Sequence, residues 1–407
     1  MTDPRVNDSR ATDTRMTEAR TIEASTNHVG PTHLHARWLC LMMGLHLLVP
    51  TLATVQRLAR DGKINNFLIF RSSYSHLVGG LDLYAAYPAE HWDFYKYSPT
   101  WALLFAPFAT LPIPAGLLLW NLLNAASLAI VIGLLLPARS AAWALLIVFF
   151  EALGATQNAQ SNGLAAALMI GAFLAAERSH LAIGGFAIAA GTSIKLFPIS
   201  AGVFGLLSPH RMKHIAWCVI TGAALLALPL LVTSFDTLVM QYRSWFAIGA
   251  RDTLSIGQMW IGGIVETYRG ALIPHAPIQA FGLAWVFGAS WYAARAWHEP
   301  VVRRLLLASL LGFATLFNHK GESPTYVIAF AGVGIWWSVL PRARWRDMLV
   351  LLAFVVGSLG GTELVPRAYR SAYHQGWQLK ALTTTMAWVG IQWDLWMSVR
   401  RAAAARA

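Results

Sequence analysis

Residues 181–207 read LAIGGFAIAAGTSIKLFPISAGVFGLL, and the reading of this stretch decides the fold. It holds about 27 residues, whereas one membrane-spanning helix needs about 20 apolar ones. Arg178 precedes it and His210-Arg211-Met212-Lys213-His214 follows it. Basic flanks belong on the cytoplasmic side, so both ends of the stretch lie on the same side. The chain must enter the membrane and return. Ser193-Ile194-Lys195-Leu196-Phe197-Pro198 supplies the turn, because proline breaks a continuing helix. The stretch therefore predicts a hairpin of two short, broken helices with Lys195 between them. Broken helices at membrane depth are tolerated where they line protein or a water-filled cavity.

The rest of the chain has the same character. Of 407 residues, 56% are hydrophobic and 12% are charged, with mean hydropathy +0.50. Soluble proteins carry roughly 25% charged residues. This balance excludes an ordinary soluble protein, and it excludes general disorder, which needs low hydrophobicity. Apolar blocks rich in Leu, Ala and Gly recur from Trp38 to Val399. They lack the alternation of a membrane β-barrel. The expected fold is an all-α, polytopic membrane helical bundle of roughly ten to twelve transmembrane helices, some short or broken, with interfacial helices in the outer loops.

The net charge of +12 would suggest nucleic acid in a soluble chain. Here cytoplasmic loops explain it better, and no nucleic-acid partner is expected. Working back from the C-terminus, the basic clusters are Arg400-Arg401, then Arg342, Arg344 and Arg346, then Arg303-Arg304, then residues 210–214, then Arg178. With each placed inside, the apolar stretches alternate without conflict, and both termini are cytoplasmic. The region 99–136 reads as two segments divided by Pro112-Ile113-Pro114, the first short or re-entrant. Residues 1–36 repeat an acid and an arginine every five positions and are expected to be a disordered cytoplasmic tail, not a signal peptide. Residues 37–400 form the membrane domain, and 401–407 a second tail. Cys40 and Cys218 both fall in apolar stretches, so no disulfide framework is expected.

This topology sends the unusual polar groups to the outer side. Ionisable residues at membrane depth are costly and usually functional. The first outer loop, about 42 residues long, carries Asp82, Glu90 and Asp93, candidates for a general base, with Arg71, Lys96 and many aromatics. Phe67, Phe70, Tyr74 and Leu77 are spaced as an interfacial helix would place them. Lys195 would attract a phosphate, or cap a helix end by snorkelling. His319, Lys320 and Glu322 share one short turn, able to grip a phosphate and activate a hydroxyl or simply to pair locally. Gln157, Asn158, Gln160 and Asn162 suit sugar hydroxyls or an ordinary turn. Glu151 stands inside an apolar span, either packing helices or lining a cavity. No phosphate-binding Gly-rich loop, zinc-spaced Cys/His set or serine elbow occurs.

At these residues the chain resembles glycosyltransferase family 87, membrane enzymes of the GT-C fold that include mycobacterial polyprenol-phosphate-mannose-dependent mannosyltransferases. The pieces are Gly80-Leu81-Asp82-Leu83-Tyr84, Tyr97-Ser98-Pro99, residues 105–112, Leu119-Trp120-Asn121-Leu122-Leu123-Asn124, residues 157–162, Ile194–Pro198 and the polar turn at His319. The resemblance implies transfer of a sugar from a polyprenyl-phosphate donor to a lipid or glycan acceptor, outside the bacterial cytoplasmic (inner) membrane, with inversion. It implies a carboxylate base in the first outer loop. The position that aligns with that acid is Asn66, and an amide has no basic lone pair for the task. The base is then Asp82, Glu90, Asp93 or Glu322, with Asn66, Arg71, Lys96, Gln157, Asn158, Asn162, Lys195, His319 and Lys320 as substrate contacts. No metal or other cofactor is expected. The competing readings are a transporter or flippase, and a non-catalytic member that binds polyprenyl lipid.

Overall fold

The computed structural model describes residues 33–59, 64–251 and 256–406. The expected tail at 1–36 lies outside the described residues as far as position 32, and helix α1 (His33–Ala59) starts directly after it. Among the described residues the chain is helical without a strand. This is the all-α membrane bundle that composition and periodicity predict. Among the described residues, four helical stretches are long and apolar enough to cross a bilayer alone. They are α1, α3 (Ile113–Leu135), α4 (Ala138–Gln157) and residues 211–231, which contain α7 (Arg211–Ala227). Between the first two lies α2 (Asn65–Val78). Shorter apolar helices include α5 (Asn162–Glu177) and α6 (Leu181–Ile194).

The predicted hairpin has clear local causes. Helix α6 stops at Ile194, and Lys195 is extended, at φ −147° and ψ 146°. A single 3-10 segment, Phe197–Gly202, follows with Pro198 in its first turn. A Cβ on Gly191 would stand 2.8 Å from the Pro198 Cβ, so a glycine there lets the returning chain fold back closely. Between residues 99 and 111 the chain forms only two short helices, Pro99–Leu104 and Ala106–Ala109, before the full-length α3. Ser98 caps the first by accepting from the Trp101 amide, with Pro99 in the first helical position.

The second half adds α8 (Phe235–Arg251), α9 (Ile261–Arg269), α10 (His275–Ala294), α11 (Pro300–Leu316), α12 (Tyr326–Val339), α13 (Arg344–Leu352) and α14 (Leu379–Ala404). The last of these carries helix into the expected 401–407 tail. Residues Tyr326 to Trp336 of α12 are all buried. A Cβ on Gly334 would lie 3.0 Å from the Ala144 Cα, so α12 and α4 pack closely. Close packing of this kind drives association where lipid removes the hydrophobic contrast.

Helix ends gather at two opposite poles. At one, Gln160 meets Glu322 at 3.3 Å and Gln378 donates to the Gly257 carbonyl at 3.0 Å. At the other, Arg303 pairs with Glu177 at 2.6 Å and Ser338 donates to the Ser140 carbonyl at 3.3 Å. The first pole is polar and mixed in charge, the second basic. Glu151, inside α4, is buried and pairs with Lys380 of α14 at 2.9 Å. Lys380 also donates to Ser323 Oγ at 2.8 Å and lies over the Tyr326 ring.

Removing one partner of such a pair strands a buried charge. Lys380→Met should therefore cost about 3–5 kcal/mol, and Glu151→Leu with Lys380→Met should recover most of it. Thermal unfolding in detergent or nanodiscs measures both; a single variant as stable as the double would exclude a paired buried charge.

Candidate active site

The polar pole is organised by the segment Glu90–Pro99. Ser98 Oγ donates to the Ser193 carbonyl at 2.7 Å, and the Ser98 amide reaches the same oxygen at 3.3 Å. These bonds dock the loop onto the break of the hairpin. Tyr84 Oη donates to the Tyr97 carbonyl and Tyr95 Oη to the Ser98 carbonyl, each at 2.7 Å. Tyr95 and Tyr84 are fully buried, so several of the loop's aromatics are core rather than an interface belt. On the far side, Trp120 Nε1 donates to the Ala159 carbonyl at 2.9 Å and holds the turn between α4 and α5. Asn124 Oδ1 accepts from the Leu164 amide at 3.0 Å and fixes the start of α5.

These ties bring together residues far apart in sequence. Lys195 Nζ donates to Asn162 Oδ1 at 2.5 Å. Glu322 accepts from Gln160 and faces Lys195. Glu322 and Asp93 both lie near enough to the Tyr97 phenol for their charges to be felt there, with Ser161 hydrogen-bonded to it. Burial pushes that phenol above its ordinary range. Ser161 and Asn162 are wholly buried; Ser161 has the Tyr97 phenol as its polar neighbour, and Asn162 Nδ2 has no hydrogen-bond partner among the described residues. Buried polar atoms are normally satisfied, and each that is not calls for an explanation. Here one such atom, Asn162 Nδ2, belongs to the residue that Lys195 contacts.

A second feature adjoins this cluster. A cavity of about 590 Å³ is lined by Arg57, Asn65, Asn66, Glu90, His91, Trp92 and Asn158, among others. Asn66 Nδ2 donates to the Asn158 carbonyl at 2.8 Å, and Asn65 Oδ1 accepts from the Trp92 amide at 3.0 Å. The turn 158–162 separates the cavity from Lys195, with Asn158 on one side and Gln160 to Asn162 on the other. Residues 90–97 run from the cavity to the cluster, and Asp93 stands between them.

The four candidate carboxylates are held differently. Asp82 Oδ1 caps the Tyr84 amide at 3.0 Å, and Oδ2 accepts from Ser244 at 3.3 Å, so it braces its own turn against α8. Glu90 bonds the buried His76 at 3.2 Å inside the cavity wall. Asp93 accepts from the Phe94 amide at 2.8 Å and from Lys96 Nζ at 3.0 Å. Glu322 also takes part in the cap of the turn at Thr325. Among the candidate contacts, Arg71 Nε donates to the Ala109 carbonyl at 3.2 Å, facing the short helices and not Lys195. Gln157 ends α4. His319 bonds Gln279 at 2.8 Å, and the Lys320 amide donates to Asn318 Oδ1 at 3.2 Å.

Sequence reasoning passed over the support behind His319. Glu266 of α9 is buried and accepts from His275 at 3.3 Å, from Trp260 Nε1 at 3.4 Å and from the Ile273 amide at 3.3 Å. The His275 ring stacks on His319 with centroids 4.9 Å apart. The Met259 amide donates to the Gly321 carbonyl at 2.7 Å and clamps the turn to the segment before α9. Nothing short-range marks Glu266, which sits in an unremarkable amphipathic helix. Tyr97 was legible only as part of a Tyr-Ser-Pro motif.

The helices thus bring together a cation and an unsatisfied donor at a broken helix, carboxylates near them, and an adjoining open cavity. Glycosyltransferase family 87 matches residues 94–318, more than half the chain, and the chain belongs to that family. No curated protein matches the chain.

Ser72, and after it His76, hold the Glu90 carboxyl below its ordinary value near 4.5. A carboxyl with a lowered folded pKa stabilises the fold above its unfolded pKa, and that contribution is lost as pH falls through the folded pKa. Glu90→Gln should remove this component. Thermal unfolding followed from pH 7 to 3 should show a shallower acid decline in the variant; an identical decline would exclude the contribution.

Proposed function

We propose that this glycosyltransferase moves a sugar from a polyprenyl-phosphate donor to a lipid or glycan acceptor, at the outer face of the bacterial cytoplasmic membrane and with inversion. The observation that carries the reading is the orphaned buried donor Asn162 Nδ2 on the residue that Lys195 contacts at a broken helix. A cation with a spare donor in a low-dielectric setting stabilises a phosphate as negative charge builds on it. An isoprenoid donor suits the position, since its tail stays among the helices while its phosphate reaches the end of the bundle. The orientation rests on the charge asymmetry: the opposite pole carries the arginine clusters and belongs in the cytoplasm.

Inversion requires in-line attack, so the base stands across the sugar from the leaving phosphate. Glu322 faces Lys195 and shares the phosphate side. Asp93 approaches Tyr97 from the loop side, oriented by the Phe94 amide and by Lys96. Asp93 is therefore the base. The acceptor hydroxyl gives its proton to Asp93 as its oxygen bonds the anomeric carbon, and the bond to the phosphate oxygen breaks with its electron pair going to the phosphate. The cavity over Asn66 takes the acceptor; its amides, its carboxylate and the exposed Trp92 face suit hydroxyl-rich ligands. Asn66 then binds substrate in place of an acid, donating through its amide.

The test is transfer by the purified full-length protein in nanodiscs, with labelled polyprenyl-phosphate sugars set against nucleotide sugars. Turnover with the lipid donors alone is expected. Asp93→Asn should lower kcat by roughly 10²–10⁴-fold with the donor KM little changed, and Lys195→Ala should raise the donor KM. Turnover only with nucleotide sugars would overturn the donor assignment, and full activity of Asp93→Asn would overturn the base.

A further inference from the structure

At the basic pole a cavity of about 240 Å³ opens between α13 and α14, lined by Arg342, Trp345, Arg346, Trp393, Asp394 and Arg401, among others. It lies far from the sugar site. Helix α12 runs from Tyr326, beside Lys380, to Val339 near the cavity, which at about 1.5 Å per residue separates the two by roughly 20 Å.

Three arginines and one carboxylate line this cavity. Arg346 is committed. Its Nε and Nη2 grip both Asp394 oxygens, at 2.8 and 3.2 Å, and its Nη1 reaches the Pro341 carbonyl. That pair is buried, and Trp336 Nε1 donates to the same carboxylate at 2.7 Å. Asp394 is thus consumed within the wall and offers nothing to neutralise the other two arginines. Arg342 stacks on Trp337 with its guanidinium 3.9 Å from the ring centroid, is mostly exposed, and touches Asp347 only at 3.4 Å. The exposed Arg401 side chain makes no hydrogen bond or ion pair among the described residues. Trp345 and Trp393 stand exposed at the rim. Beyond them, the exposed apolar side chains of Met348, Leu351 and Val389 lead along α13 and α14 toward the middle of the bundle.

We propose that this cavity binds the phosphate headgroup of an anionic phospholipid, in the leaflet opposite the sugar-transfer site. Arg342 and Arg401 contact the phosphate, the Arg346–Asp394 pair closes the wall behind it, and the two tryptophans sit at headgroup depth as interfacial aromatics do. Basic pockets between membrane helices recognise anionic headgroups in this manner. The apolar path from the rim favours a lipid over a free anion, because it gives acyl chains a surface to follow.

Native mass spectrometry of the full-length protein, reconstituted with equal phosphatidylglycerol and phosphatidylcholine, reads the retained lipid. Phosphatidylglycerol should be retained preferentially. Arg342→Gln with Arg401→Gln should lower its retention about tenfold or more, without lowering thermal stability in phosphatidylcholine alone. Arg401→Gln by itself, at an exposed position, should give a smaller loss in the same direction and serves if the double variant fails to fold. Millimolar inorganic phosphate should leave the lipid in place. Equal retention of both lipids, unchanged retention in the variants, or displacement by inorganic phosphate would each overturn the proposal, the last pointing to a free-anion site.

Discussion

The site depends on one interaction, the docking of Ser98 onto the Ser193 carbonyl at the hairpin break. A helix that stops at membrane depth leaves carbonyls without intrahelical partners, and lipid cannot satisfy them. The loop supplies the missing donors from both the hydroxyl and the amide of Ser98. Because Ser98 also caps the short helix Pro99–Leu104, the same residue ends the loop, starts that helix and seals the break. Tyr97, one residue earlier, is thereby set beside Ser161, Asp93 and Glu322. Lys195, two residues after Ser193, is set against Asn162. Packing of Tyr84, Tyr95 and Trp101 in one cluster with Ile194 reinforces this tie.

That dependence explains how the carboxylates divide. Asp82 and Asp93 look alike in sequence, each an acid amid aromatics in one loop. Backbone capping separates them. Asp82 closes the turn at Tyr84 and leans on Ser244, while Asp93 orders the run into Tyr97. Glu90 binds a buried histidine and helps to shape the cavity wall. Their roles follow from which backbone amide each satisfies, and that is a property of turn geometry rather than composition.

Much of the fold was legible because membrane physics simplifies the reading. A lysine and a proline within a mostly apolar 27-residue stretch between basic flanks force a hairpin, and Pro112-Ile113-Pro114 divides a short piece from α3. The position of Asn162 against Lys195 was half legible: both residues stood out as polar at one pole, but nothing local joined them. Pairings across long sequence distance were not legible at all. Glu151 was visible as an intruder in an apolar helix, while its partner Lys380, 229 positions away, looked like an ordinary residue at the start of the last helix. Glu266 and His275 were silent because the signal is their convergence on His319, set by the packing of α9 and α10.

Helix α14 shows why two such costly pairs are retained. Near its start Lys380 meets Glu151, and 14 residues on Asp394 meets Arg346. A buried ion pair often adds little net stability over apolar packing, but it tolerates no slippage, since a shift of one residue strands two charges. Two pairs about 21 Å apart along one helix fix both its rotation and its axial position. Both also engage the central α12 or its flank, Lys380 through Ser323 and the Tyr326 ring, Asp394 through Trp336. The register of α14 against α12 is therefore set from both poles at once. Ser323 adjoins Glu322, so the carboxylate facing Lys195 takes its position from a register fixed partly at the opposite end of the bundle.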